Sequence, residues 1–179
     1  MEHVITYHRA RTNEELKQIL ALQKCNLPQS LTSEELESDG FVTVHHQFEI
    51  LQAMNEVCPH IIAKQGENVI GYALCMHPSF ADDIDVLKPM FSEISTVYDR
   101  EDFIVMGQIC IAKEFRKKGI FRGLYSAMSD AITPAFKCII TEVDALNLRS
   151  LHAHYAVGFK DLKRYKSAHQ DWVLIKLAV

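Results

Sequence analysis

The sequence predicts a mixed α/β fold formed as one domain, on three observations. Its 179 residues are 48% hydrophobic and 23% charged, enough apolar content for one full core. β-branched runs of strand length, such as Ile104-Val105 and Ile139-Ile140, alternate along the chain with apolar residues at helical spacing. One strand, ending at Ile109-Cys110-Ile111, passes through a basic turn, Arg116-Lys117-Lys118-Gly119, into a helix marked by Phe121, Leu124, Tyr125, Met128 and Ile132.

Taken in order, Val4–Arg9 reads as a first strand. Thr12 with Glu15 forms a capping box, and Leu16, Ile19, Leu20 and Leu22 carry a helix to about Cys25. Gln29–Gly40 is acidic and turn-rich, with a helical turn expected at Ser33–Leu36. Phe41–Val44 is β-prone, and Phe48, Leu51 and Met54 predict a second helix closed before Pro59. Ile61–Ala63 and Val69–Met76 flank Gln65-Gly66-Glu67-Asn68 as a hairpin. Residues 78–102 form an acidic excursion with helix over Ile84–Ile94. The strand, basic turn and helix follow, ending near Pro134. Cys138–Val143 is a further strand, Asn147 caps a helix to about Val157, and Gly158-Phe159 ends it. The remaining residues alternate poorly until a final strand, Trp172–Leu177. No repeat, low-complexity segment or linker interrupts the chain.

Composition excludes several classes of function. With 19 basic and 23 acidic residues the net charge is −4, so nothing draws the protein as a whole to nucleic acid or anionic lipid. No apolar run approaches the roughly 18 residues of a membrane-crossing helix, and the first residues lack a signal-peptide core. The five cysteines are scattered with no CxxC, which argues against structural disulfides or zinc and for a reducing cytoplasm. His45-His46 and His152-x-His154 have no partners at ligand spacing, so no metal is expected.

Against the acidic background the basic turn stands out. A helix's first turn presents backbone N–H groups and partial positive charge, a glycine admits close approach of a ligand, and Arg116, Lys117, Lys118 and Arg122 add full charges. An anion such as a phosphate binds readily to such a turn. A solvated basic edge is the plainer alternative. The common phosphate signatures do not fit: no Gly-Lys-Ser/Thr occurs, and Gly119 and Gly123 are four apart. On the later helix, Leu148, Leu151 and Tyr155 form an apolar stripe expected to face the core, while Asn147, Ser150 and His154 share a neighbouring polar face. A strand carrying Glu142 leads into this helix.

Arg116-Lys-Lys-Gly119-Ile-Phe121 after a strand, then Asn147-Leu-Arg-Ser-Leu-His-Ala-His-Tyr-Ala-Val-Gly-Phe159, resembles the GNAT superfamily of acyl-CoA-dependent N-acetyltransferases. The specific match covers roughly Phe103 to Phe159. The resemblance implies a mostly antiparallel sheet of roughly six or seven strands, splayed between the fourth and fifth and flanked by about four helices. Acetyl-CoA would lie in the split, its pantetheine arm on the backbone of Ile109, Cys110 and Ile111. Its pyrophosphate would meet the amides of Lys117, Lys118, Gly119, Ile120, Phe121 and Arg122. Asn147 and Ser150 would neighbour the cofactor. Two departures stand out. Phe121 replaces the family's second small residue, and its ring is expected in the core. Counting back from Gly158 places His154, not Tyr155, where many members have a tyrosine that protonates the leaving thiolate.

Transfer of acetyl to an amine requires loss of a proton from an ammonium of pKa about 10.4 and a donor for the oxyanion, and the departing thiolate, pKa about 8.5, can take a proton. The backbone N–H of Ile111 is the oxyanion donor the resemblance implies. Glu142 is the expected base, through a water, and His154 the expected acid or pantetheine neighbour. Cys110, mid-strand, reads as a buried thiol rather than an acyl carrier. The expectation is a cytoplasmic N-acetyltransferase taking acetyl from acetyl-CoA to a small-molecule amine. The competing readings are a non-enzymatic acyl-CoA-binding module and a turn for another phosphate ligand. Residues Gln29–Pro59 and Pro78–Asp102 are expected to shape the acceptor pocket. A homodimer through the last strands is common in the family.

Overall fold

The computed structural model of the protein describes residues 4–30, 42 and 44–179. The turn expected at Ser33–Leu36 and most of Phe41–Val44 lie outside the described residues. Among the described residues seven strands form one sheet: β1 (Ile5–Arg9), β2 (Ile61–Gln65), β3 (Asn68–Met76), β4 (Phe103–Ile111), β5 (Cys138–Asp144), β6 (Lys160–Ser167) and β7 (Gln170–Ala178), in the order β1-β2-β3-β4-β5-β7-β6. Five α-helices occur among the described residues: α1 (Asn13–Cys25), α2 (Phe48–Val57), α3 (Lys88–Val97), α4 (Ile120–Ile132) and α5 (Leu148–Ala156). The helix expected in the acidic excursion is α3, and among the described residues it brings the α-helices to five against the roughly four expected.

The chain divides into two compact units, Met1–Cys75 with Gly107–Ala131, and Met76–Met106 with Ile132–Val179. In the first, Thr12 Oγ1 accepts from the Glu15 amide (3.2 Å) while the Glu15 carboxylate accepts from the Arg11 and Thr12 amides (2.8 and 3.2 Å). This capping box starts α1 where the sequence places it. Lys64 on β2 donates to the other Glu15 oxygen at 3.2 Å, so the cap also ties helix to strand. β1 and β2 are antiparallel, Tyr7 facing Ala63, and β2 turns back into β3 with Ile61 facing Ala73. Ile19, Leu51, Met54, Ile62 and Tyr72 are fully buried there.

In the second unit β4 and β5 run parallel, Phe103 facing Cys138, Ile104 facing Ile139 and Val105 facing Ile140. One residue on, the Thr141 hydroxyl donates to the Met106 carbonyl at 2.8 Å. β5 pairs antiparallel with β7, Glu142 facing Leu174, and β7 with β6, Tyr165 facing Trp172. β6 was not expected from sequence. Its residues, KDLKRYKS, carry five charges in eight positions, as suits a strand at the sheet's edge, where charge discourages pairing with other chains. Its turn to β7 is Ala168-His169, both at positive φ (50° and 65°). That is hairpin geometry without the Asn-Gly or Asp-Gly signature that marks it in sequence.

Candidate active site

In the first unit β4 alternates. Gln108 and Cys110 point inward and are buried, while Ile109 and Ile111 are half-buried on the opposite side. Gln108 is fixed from both ends, accepting from the Tyr72 hydroxyl (2.6 Å) and donating to the Val44 carbonyl (2.8 Å). Burial pushes the Cys110 thiol up to about 11, so it is a protonated core group at neutral pH.

Past Ile111 the chain makes a short 3₁₀ turn, Lys113–Phe115, and then the basic turn. Arg116 lies apart from its two lysine neighbours. Its guanidinium folds back, Nε to the Ile111 carbonyl (3.2 Å) and Nη2 to Asn26 Oδ1 (2.7 Å), tying the turn to the end of α1. Lys117, Lys118 and Gly119 are exposed, with Lys118 Nζ 5.1 Å from the centroid of the Phe115 ring. Lys117 (φ 62°) and Gly119 (φ 79°) are both left-handed, a conformation that curls successive amides to one side. A Cβ at Gly119 would meet nothing within 4 Å, so that side of the turn is open. The first α-helical bond of α4 runs from the Gly123 amide to the Gly119 carbonyl (3.1 Å), so the amides of residues 120–122 come before the helical ladder begins. Phe121 is half-buried rather than a core residue, its ring meeting Tyr125 edge-on at 5.1 Å. Tyr125, one turn along and fully enclosed, fills the interior instead.

In the second unit Glu142 is half-buried near the end of β5, and the Tyr165 hydroxyl donates to its carboxylate. Burial pushes Glu142 up to about 7, with the Tyr165 bond opposing, and burial followed by the bond to Glu142 drives the Tyr165 phenol well above its ordinary value. A carboxyl that titrates near neutrality accepts a proton at pH 7 and gives it up again, as a general base must. Tyr165 was missed in sequence because it sits on the charged strand that was not recognised. The signal available was one aromatic among alternating charges. Beside it, Lys163 on β6 is held by Glu93 (2.5 Å) and Thr96 (2.9 Å) of α3.

Asn147, Ser150 and His154 are linked along α5, from its N-cap to its last turn. Asn147 Oδ1 accepts from the Ser150 amide (3.0 Å) as the N-cap. His154 Nδ1 donates to the Ser150 carbonyl at 2.7 Å, with Ser150 Oγ 3.4 Å away. His154 is 2% exposed, and burial pulls its imidazole down to about 4, so it is neutral at pH 7 with its proton on Nδ1. In that tautomer Nε2 accepts and has no proton to give. The expected apolar stripe is also rotated. Leu151 and His154 are the buried residues of α5, and Phe159 packs edge-on to the imidazole at 5.1 Å. Leu148 is 59% exposed, and Tyr155 turns outward to donate to Asp161 at 2.5 Å. Among the described residues no group of three or more His, Cys, Asp or Glu could hold a metal, and no helix is long and apolar enough to cross a membrane.

The fold is widely shared. The chain superposes on Ard1 from Thermoplasma volcanium with a TM-score of 0.67 at 10% identity, covering 98% of this chain and 97% of that one. It superposes on yncA from Salmonella typhimurium, solved with its cofactor acetyl-CoA, with a TM-score of 0.63 at 13% identity over 97% and 93% of the two chains. With the ribosomal-protein-S18-alanine N-acetyltransferase from Escherichia coli the TM-score is 0.60 at 12% identity, over 98% and 94%. At these identities the likeness is one of fold. No curated protein sequence matches significantly. The sequence profile of the Acetyltransferase (GNAT) family, however, matches residues 16–159, most of the chain, including the basic turn and the Asn147–Phe159 segment. The chain therefore belongs to the GNAT family of acetyltransferases, acyltransferases with acetyl-CoA as co-substrate.

Proposed function

We propose that the protein acetylates a primary amine of a small molecule by direct attack of the amine on acetyl-CoA in a ternary complex, with Glu142 as the base. The observation that carries this reading is the Glu142 carboxyl, half-buried, bonded to Tyr165 and pushed up to about 7 by burial. Such a group takes the ammonium proton, directly or through a water, as nitrogen attacks the thioester carbonyl. The C–N bond forms, the tetrahedral oxyanion collapses, and the C–S bond breaks to release CoA thiolate. The backbone of Ile109, Cys110 and Ile111 serves the pantetheine arm, with the Ile111 N–H as oxyanion donor. The amides of residues 117–122, with the lysines of the turn, serve the pyrophosphate. Arg116 acts through the shape of the turn, since its guanidinium is committed to Ile111 and Asn26. Asn147 and Ser150 border the cofactor at the start of α5. His154, neutral and bound to the Ser150 carbonyl, positions that turn instead of supplying a proton.

A peptide N-terminus is the second reading of the acceptor. It is favoured by fold neighbours that include the ribosomal-protein alanine acetyltransferase and the NatC complex bound to Gag peptide and CoA. We further take the chain to work as one domain in the cytoplasm, in keeping with a family match that runs through both units and with five free cysteines. A homodimer through β6 and β7 fits an edge strand at β6. Release of free CoA thiol from acetyl-CoA, followed across small alkylamines, polyamines and short peptides, tests the acceptor. Release with small amines above the rate with peptides supports the first reading, and the reverse order supports the second. No release with any acceptor would leave an acyl-CoA-binding module.

A further inference from the structure

Leu174 of β7 stands opposite Glu142 of β5 on one side and opposite Lys163 of β6 on the other. Residues directly opposite in paired strands share a face, so Glu142, Leu174 and Lys163 make one row across the second unit's sheet. Tyr165, two residues beyond Lys163, lies on the same face and gives its hydroxyl to Glu142. Leu174 is fully buried between the two charged side chains.

Helix α3 packs on this face. Met90 and Ile94, four apart and so on one stripe of the helix, are each 1% exposed. Beside that stripe Glu93 and Thr96 meet the Lys163 ammonium, at 2.5 and 2.9 Å, and Glu93 Oε2 is itself enclosed. One lysine of β6 thus ties the helix down at two points.

The other charged groups of the face have their own partners. Asp144, two residues along β5 from Glu142, accepts from the Leu146 amide (2.8 Å) and from Gln170 Nε2 (3.0 Å). Lys176, two residues along β7 from Leu174, lies over the Tyr98 ring, 5.2 Å from its centroid. β4 brings Val105, opposite Ile140, and no charge. Burial raises the Glu142 carboxyl and the Tyr165 bond opposes it, while the Lys163 charge is spent on Glu93. Cover, rather than a neighbouring charge, therefore sets how tightly Glu142 holds its proton.

We propose that Lys163 is a positioning residue for Glu142: by latching α3 to β6 it keeps the base covered, and releasing the latch lets water reach the carboxyl. The proposal rests on the reading of Glu142 as the base. Lys163 touches no reacting atom and acts through the helix it holds. Water at the carboxyl favours its ionised form, which makes Glu142 a weaker base that works from a lower pH.

The test is the titration of the Glu142 side chain by carbon-13 NMR, its signal identified by its absence in Glu142→Gln. The pH profile of CoA thiol release is measured on the same proteins. Lys163→Arg keeps the pair, and Glu142 should titrate as in the native protein, about 7. Lys163→Met combined with Glu93→Gln removes the latch and leaves no unpaired charge, and the value should fall to about 6 or below. The acid limb of the rate should move down with it. Glu93→Gln alone, the milder change, should shift the value the same way. A native titration in the folded double variant overturns the proposal. So does a fall in Glu93→Gln that the double variant reverses, since a freed lysine charge would then be the cause. A titration that falls while the acid limb of the rate stays in place would uphold the latch and remove Glu142 as the base.

Discussion

The hydroxyl of Tyr165 on β6 donates to the carboxylate of Glu142 on β5, reaching across the intervening strand β7. Trp172, opposite Tyr165, and Leu174, opposite Glu142, are two residues apart on β7 and so share a face. That face carries the phenol to the carboxyl. The bond stabilises the ionised form and works against the burial that raises Glu142. Tyr165→Phe therefore pushes the Glu142 carboxyl higher still. A hydrogen bond to a charged group contributes about 1.5–3 kcal/mol, or about one to two pKa units. The ratio of variant to native rate should then fall about tenfold at pH 7 and recover toward pH 9. Taking the ratio at each pH cancels the ionisation of the acceptor amine. A ratio that does not change with pH would separate Tyr165 from the base.

Glu142 should cost the fold stability where it serves catalysis. Its folded value, about 7, lies above the ordinary 4.5, so the folded state holds the proton more tightly than the unfolded chain. The contribution to stability is therefore present at low pH and lost as pH rises from about 4.5 through 7. Glu142→Gln removes that penalty. The variant should melt higher than the native protein at pH 8, by about 1 kcal/mol or more, with little difference at pH 4. Melting curves at the two pH values decide it.

Three buried histidines set the acid limit. His46, His60 and His154 are each pulled down to about 4 by burial. For a depressed histidine the stability is present above the unfolded value, near 6.5, and is lost as pH falls toward 4. Unfolding should take up about three protons more than carboxylate titration alone accounts for across that range. His154→Asn should make the fall in Tm between pH 6.5 and 4.5 shallower. An unchanged slope would mean that His154 does not titrate on unfolding.

Much of this was legible in the sequence, and the reason is local chemistry. The Thr12–Glu15 capping box, the Asn147 cap and the passage from β4 through glycine into α4 are each decided by a few adjacent residues. Glu142 could be picked out because it leads into a helix that matched a family motif. What escaped depends on distant partners. β6 is a strand because β7 pairs with it, whereas its own residues read as a solvated loop. The facing of α5 turned on His154, a polar residue buried against Phe159 and bonded to its own helix, which hydrophobic spacing assigns to the outside. Arg116 reads as one of a row of cations until Asn26, ninety positions away, is seen to hold it.

That division predicts different outcomes within the basic turn. Arg116→Lys should lower Tm, since one ammonium cannot serve both the Ile111 carbonyl and Asn26 Oδ1 in the geometry of the guanidinium fork. Lys118→Ala, at an exposed position, should leave Tm within about 0.5 kcal/mol and weaken the acetyl-CoA-induced rise in a salt-dependent way. Equal losses of Tm in both variants would contradict the assignment.

Gly119→Ala meets no neighbour, so its cost is conformational, about 1–2 kcal/mol for a Cβ in the left-handed region, and Gly119→Asn should cost less. Acetyl-CoA, added against an ATP control, should raise Tm in the native protein. At 100 times Kd a ligand adds about 2.7 kcal/mol. An equal rise with ATP would make the turn a general phosphate site.

The most direct measurement is the rate of CoA thiol release by Glu142→Gln relative to the native enzyme, at saturating acetyl-CoA with the best acceptor found. The acetyl-CoA-induced Tm rise is read on the same samples. If Glu142 is the base, the rate falls by about 10²-fold or more while the Tm rise is kept. A native rate in a variant that still binds acetyl-CoA would contradict the account.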